Sequence, residues 1–227
     1  QDYQVVLFDY VGGGQSDLDA YDPERYSSLA GYARDVVEVC EQLDLHDAIL
    51  VGHSVSSMIC LLAAIDMPQR IERLVMVCPS PRYLNDAPHY HGGFEHADVE
   101  GLLDMIERNQ TGWANYLAGV VMKNPDRPEL GAELEASFCA MAPPIARRFA
   151  AATFLADNRA DLSHCDKPVL ILQCTQDSVA PAEVGRYLHD HLPHSRLQTM
   201  QATGHCPHMS HPKETIALMR AYLQSCG

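Results

Sequence analysis

Gly52-His53-Ser54-Val55-Ser56 lies between an apolar run, residues 48–51, and a segment with helical spacing, residues 55–67. A serine in such a strand-to-helix turn stands in strained backbone with its hydroxyl turned outward, which is the geometry of a nucleophile elbow. The usual elbow ends in Gly and this one ends in Ser56, so the pentapeptide alone also fits a Ser54 that merely caps the following helix. A serine nucleophile needs a base, and the base needs an orienting acid. Asp177 comes after the apolar run 168–174 and His205 after the run 196–201, so an acid and then an imidazole stand at the ends of two further predicted strands. Alone, Asp177 reads as a solvated loop acid and His205 as a turn histidine; the coincidence of three placements is what points to acyl-transfer chemistry. In that chemistry His205 takes the proton of Ser54 while Asp177 holds the imidazole in the productive tautomer.

Two other groups of residues compete for attention. His205, His208 and His211, with Cys206 beside the first, form an H-x-x-H-x-x-H row that resembles a zinc set, but Pro207 and Pro212 are expected to break any helix that would align them. No metal is predicted, and His208 and His211 read as structural. Gly12-Gly13-Gly14 comes after an apolar run but lacks both the G-x-G-x-x-G spacing and the lysine of a phosphate-binding loop, so it reads as a tight turn and no cofactor is predicted.

The elements that must position these residues alternate. Residues 4–9 (QVVLFD) read as a strand buried on both faces, and Leu29, Tyr32, Val36, Val37, Cys40 and Leu43 recur at helical spacing. Next come a strand at 48–51, a helix at 55–67 stopped by Pro68, and a strand at 74–78. The alternation resumes with strands at 168–174 and 196–201 and helices at 182–192 and 213–223. This is the pattern of an α/β fold with a mostly parallel sheet flanked by helices. Between Ser80 and His164 strand signals vanish and helices are predicted at 97–109, 112–122 and 144–156, with 124–128 a turn. The chain thus divides into a core, residues 1–79 and 165–227, and an all-helical insertion, residues 80–164. Four of the five phenylalanines (Phe94, Phe138, Phe149, Phe154) and the single tryptophan, Trp113, lie in that insertion. They either pin its helices down or roof an apolar pocket as a lid.

Composition narrows the partners. Sixteen Lys and Arg against 30 Asp and Glu give a formal charge of −14, which repels a phosphate backbone, so nucleic acid is not an expected partner. The longest apolar run, residues 58–65, is far shorter than the roughly 20 residues a membrane-spanning helix needs. Eight cysteines with no C-x-x-C pair, most of them inside apolar segments, read as reduced thiols and a cytoplasmic location.

With these residues in hand the whole chain resembles the α/β-hydrolases, in the branch of bacterial RsbQ-type signalling hydrolases and plant strigolactone and karrikin receptors. The likeness is carried by FDYVG at 8–12 with Gly14, Ser16 and Asp17, GHSVS at 52–56, SPRYLND at 80–86, GGFE at 92–95 and GHCPHMSHP at 204–212. GHSVS is similar to the plant receptors, so the missing Gly no longer counts against the elbow. The Tyr10 turn and the His-rich loop look closest to RsbQ. The resemblance implies a Ser54, Asp177, His205 triad, an oxyanion donor at the N–H of Val55, and a four-helix lid. The pocket beneath it is expected to be lined by His53, Phe94, Trp113, Phe138, Phe154 and Cys206. It implies a small apolar ester or lactone as substrate, and in the bacterial branch a PAS-domain signalling partner. Attack through a carboxylate, as in dehalogenases and epoxide hydrolases, does not fit a serine at position 54; haloperoxidases and carbon–carbon hydrolases keep the same triad and stay open. A ligand-sensing protein whose hydrolysis is incidental is the other reading. The family's sheet has three further strands ahead of residues 4–9. The chain is therefore expected to be N-terminally incomplete, lacking a central strand and the loop that supplies a second oxyanion N–H.

Overall fold

The computed structural model describes residues 3–225. Its sheet has four parallel strands in the order β1 (Ala48–His53), β2 (Ile71–Val77), β3 (Val169–Gln176) and β4 (Ser195–Thr203). The apolar runs of β2 and β3 are continuous because both of their faces are covered. Leu74, Met76, Val169 and Ile171 face a core shared with α1 (Leu29–Gln42), α2 (Val55–Asp66) and α7 (Ala182–His191). Val75, Val77, Leu170 and Leu172 face the opposite core, closed by Tyr222, Leu218 and Met219 of α9 (Pro212–Gln224). The expected helix at Leu29 forms, burying Leu29, Tyr32, Val36, Val37 and Cys40 on one stripe.

Four helices stand between β2 and β3: α3 (His96–Arg108), α4 (Gln110–Met122), α5 (Pro128–Ala140) and α6 (Pro143–Phe154). The sequence marks three of them, and α5 escapes because it buries no residue; among its hydrophobic side chains only Leu130, Leu134 and Phe138 are half-buried. The prolines of the His-rich loop act against expectation. Pro207 and Pro212 each begin a helix, the single turn α8 (Pro207–Ser210) and α9, because the first helical position has no N–H to lose.

Residues 4–9 are the main departure. They take no regular secondary structure and join no ladder among the described residues, and Val5 and Leu7 are 73% and 88% exposed. An apolar run becomes a strand only when a neighbour takes its N–H and C=O groups. The edge strand β1 pairs with β2 alone among the described residues, and its Val51 is 51% exposed. The Gly-rich turn after these residues is tight as expected: Gly12 and Gly14 have φ of 96° and 54°, and the Asp9 carboxylate accepts from the Gln15 N–H.

Of the cysteines, Cys40, Cys60, Cys78, Cys165, Cys174 and Cys206 are buried and free, Cys139 on α5 is exposed, and Cys226 lies outside the described residues. No helix of the described residues is long and apolar enough to cross a membrane.

Candidate active site

Ser54 sits at the tip of the turn between β1 and α2 with φ 55° and ψ −126°, a conformation that costs a non-glycine residue energy and persists only where its surroundings enforce it. The enforcement is visible. The Ser54 N–H donates to the Val77 carbonyl at 2.8 Å, and the Ser57 hydroxyl donates to the Gly52 carbonyl at 2.9 Å. A Cβ on Gly52 would collide with the backbone of Ser56 and Ser57, so the turn can close only over glycine. Ser54 occupies the N-cap position of α2, yet its side chain makes no cap hydrogen bond. The hydroxyl is used elsewhere.

Ser54 Oγ lies 2.6 Å from His205 Nε2, and His205 Nδ1 lies 2.7 Å from Asp177 Oδ2. Both partners of the second contact are buried, with side-chain exposures of 3% and 0%. The other carboxylate oxygen of Asp177 accepts the N–H groups of Val179 at 2.8 Å and Ala180 at 3.0 Å. Gln173 clamps the same loop from below, its amide donating to the Ala180 carbonyl at 2.8 Å. His205 is held at its own backbone: its N–H donates to the Val121 carbonyl of α4 at 2.8 Å, and its carbonyl accepts from His53 Nε2 at 2.7 Å. Gly204 before it has φ 82°, with no room for a Cβ against the Met122 carbonyl. A hydroxyl, an imidazole and a carboxylate in this order can relay a proton from Ser54 toward His205 while the ring stays oriented. Val55 is the first residue of α2, so its N–H has no acceptor within the helix.

The residues expected to line an apolar pocket pack largely against one another. Phe94, Trp113, Phe138, Phe154 and Cys206 belong to one apolar cluster, with Phe94 on Phe154 and Trp113 on Phe138, each pair at 5.4 Å between ring centroids. His53 stands apart from these rings, packed on His208 at 4.4 Å and His205 at 5.0 Å. Burial, reinforced by its two histidine neighbours, pushes the pKa of His53 well below the usual imidazole value, so it is neutral and donates to the His205 carbonyl. Burial and then His205 lower His208 likewise, and burial pushes the Cys206 thiol up to about 12.

Three residues that sequence reasoning did not single out complete the surroundings. Tyr83, inside the SPRYLND segment, places its hydroxyl 3.1 Å from Ser54 Oγ. Cys78 and Cys174, at the ends of β2 and β3, face each other at 3.5 Å between sulfurs. Ligand atoms of Cys78, Asp177 and His205 lie within 4.8 Å of one another, a closeness already explained by the hydrogen bond between His205 and Asp177. His211, by contrast, turns to the Ser210 hydroxyl. The signal for Tyr83 was its place two residues beyond a Ser-Pro turn just after β2, but nothing in the local pattern says which way its ring points.

The chain is similar to known proteins over nearly its whole length. The alpha/beta hydrolase fold model matches residues 1–212. A hydrolase from Oleispira antarctica superposes with a TM-score of 0.94 at 45% identity, over 96% of this chain and 80% of that one. Among sequence relatives, the karrikin insensitive 2 receptor CA of Petunia hybrida is 37% identical over 223 residues, 98% of this chain and 82% of that protein. A strigolactone esterase of Arabidopsis thaliana is 33% identical over 224 residues, 98% of this chain and 83% of that protein. The chain belongs to the α/β-hydrolase fold family.

Proposed function

We propose that this protein is a serine hydrolase that cleaves a small apolar ester or lactone. The observation that carries the reading is the unbroken hydrogen-bond chain from Ser54 Oγ through His205 to Asp177, built on a strained elbow whose serine caps nothing. Ser54 attacks the carbonyl carbon as His205 Nε2 takes its proton; His205 then returns that proton to the leaving alkoxide. Water, activated by the same imidazole, frees the acyl group. Asp177 fixes the tautomer and stabilises the imidazolium, and the Val55 N–H faces the developing oxyanion. Residues 80–164 act as a lid over the core made of residues 1–79 and 165–227, and Phe94, Trp113, Phe138, Phe154 and Cys206 form the apolar wall beneath it. His53 borders this pocket from the elbow side through its contact with His205.

The petunia relative is named as a receptor, and the Arabidopsis relative as a strigolactone esterase. These names favour a slow hydrolase that serves ligand signalling over a metabolic esterase, with a lactone ester as the substrate class. The RsbQ-like turn at Tyr10 and the His-rich loop favour a PAS-domain partner in the cytoplasm, where buried free thiols stay reduced.

The test is intact mass after incubation with a fluorophosphonate. One adduct per chain, lost in Ser54→Ala, is expected; an adduct that persists in Ser54→Ala, or none at all, overturns the reading.

A further inference from the structure

We infer that Tyr83 is a catalytic residue, whose phenol donates its proton in a hydrogen bond to Ser54 Oγ and so favours release of an acyl group from Ser54 over its capture. The inference rests on the serine-hydrolase reading above and concerns which of its two half-reactions the site assists.

The direction of the hydrogen bond is fixed by counting protons. The Asp177 carboxylate only accepts, so His205 Nδ1, 2.7 Å away, carries the ring proton. The neutral imidazole then has a bare Nε2, which must accept from Ser54 Oγ at 2.6 Å. That spends the single hydroxyl proton of Ser54. Toward Tyr83, at 3.1 Å, Ser54 Oγ can only accept, and the phenol must donate. Burial raises the Tyr83 pKa above its ordinary value, so the donor is present at any working pH. The ring is fixed as well: Tyr83 is 2% exposed, meets Phe154 edge-on at 5.3 Å, and its carbonyl accepts the Phe94 N–H at 3.1 Å.

A donor aimed at Oγ acts oppositely on the two steps. In acylation the Oγ–carbonyl carbon bond forms, the Oγ proton goes to Nε2, and Nε2 passes it to the departing alkoxide. An Oγ lone pair held by Tyr83 is a weaker nucleophile, and the ester oxygen that results is a poorer acceptor than the hydroxyl it replaced. In deacylation water adds to the acyl carbon and its proton goes to Nε2. The carbon–Oγ bond then breaks and the proton passes from Nε2 to Oγ. Negative charge grows on Oγ as that bond breaks, so the hydrogen bond from Tyr83 strengthens where it is needed. Tyr83 keeps its own proton throughout.

The experiment is rapid mixing with p-nitrophenyl butyrate, reading the burst of nitrophenolate for acylation and the steady phase for deacylation, with quenched intact mass to count butyryl-enzyme. Wild type, Tyr83→Phe and Ser54→Ala are compared. Loss of one neutral hydrogen bond predicts deacylation about tenfold slower in Tyr83→Phe, acylation as fast as wild type or faster, and butyryl-enzyme as the main steady-state species. Deacylation within twofold of wild type, or both steps slowed by one factor, overturns the inference; the latter is what a merely structural tyrosine would give. Should Tyr83→Phe fail to fold, 3-fluorotyrosine at position 83, a stronger donor, is expected to speed deacylation, and an unchanged rate overturns the inference. A wild-type protein that never forms butyryl-Ser54 overturns the hydrolase reading itself, whereas an acylated wild type with an unaltered variant overturns only the role of Tyr83.

Discussion

Asp177→Asn separates an orienting carboxylate from one that merely fills space. Oδ1 of Asp177 accepts two backbone N–H groups, from Val179 at 2.8 Å and Ala180 at 3.0 Å, and Oδ2 faces His205 Nδ1 at 2.7 Å. An asparagine oxygen belongs at the first position, because an NH2 there would confront two donors. Its NH2 is then directed at His205 Nδ1, which must become an acceptor, and the ring proton moves to Nε2. Nε2–H cannot take the proton of Ser54. The loop is preserved and the base is lost. The escape is to flip the amide, which leaves two buried N–H groups unsatisfied at about 1–3 kcal/mol each, or about 2–6 kcal/mol together. At 1.36 kcal/mol per tenfold, the active flipped form is held to a fraction that corresponds to a rate loss of about 30-fold at the least. A triad with the wrong tautomer loses about 10⁴-fold, which sets the other bound. The assay is kcat/KM on p-nitrophenyl butyrate together with a thermal melt. The expected result is a loss of about 10²–10⁴ with a melting temperature close to wild type. A loss below tenfold refutes the tautomer reasoning, and a large fall in melting temperature refutes the claim that the loop survives the change.

Gly204→Ala places a side chain at φ 82° and drives its Cβ into the Met122 carbonyl. The left-handed backbone alone costs about 1–2 kcal/mol, so the melting temperature falls, and because His205 is the next residue the hydrolysis rate falls with it; a variant that melts and turns over like wild type refutes the contact. His53 and His208, both lowered by burial, are neutral in the folded protein, whereas the unfolded chain takes up their protons once pH drops below about 6.5. The unfolded state then binds more protons than the native one, so stability is lost as pH falls from about 6.5 toward the depressed folded values. Melting temperatures at a series of pH values across that window should therefore decline, with a shallower decline in His208→Gln; equal slopes in the two proteins would refute the assignment to His208.

Much of the site is legible in the sequence because its signals are local. Strained turns require small neighbours, so Gly52 and the elbow stand out, and Asp177 and His205 each stand just past the end of an apolar run. Continuous apolar runs at 74–78 and 168–174 announce strands covered on both faces, and the sheet bears them out. The same reasoning fails for residues 4–9, since apolar character measures what a segment could bury and not whether a neighbouring strand is there to pair with it. Proline at 207 and 212 reads as a breaker from its usual effect inside a helix, while its effect at a helix start is the reverse. Tyr83, Gln173 and the meeting of Cys78 with Cys174 are products of tertiary placement, and no spacing in the chain encodes them.

The end of α4 explains why the helical insertion and the chemistry belong to one structure. The last carbonyls of a helix have no partner within it and must find one outside. On α4, Val120 accepts from the Ser178 hydroxyl at 2.6 Å, Val121 from the His205 N–H at 2.8 Å, and Met122 from the Asn124 amide at 2.5 Å. Arg127 adds a further tie, reaching the Ser210 carbonyl and the Asn124 side chain, each at 2.7 Å. Ser178, beside Asp177, and the backbone of His205 are thus the caps of a single helix. Its negative end lies at the backbone of His205. A rearrangement of the insertion that spares the site must therefore leave the α4 terminus in place. One that shifts the α4 terminus breaks the His205 N–H bond, moves Nε2 away from Ser54, and couples the position of the insertion directly to whether Ser54 can react.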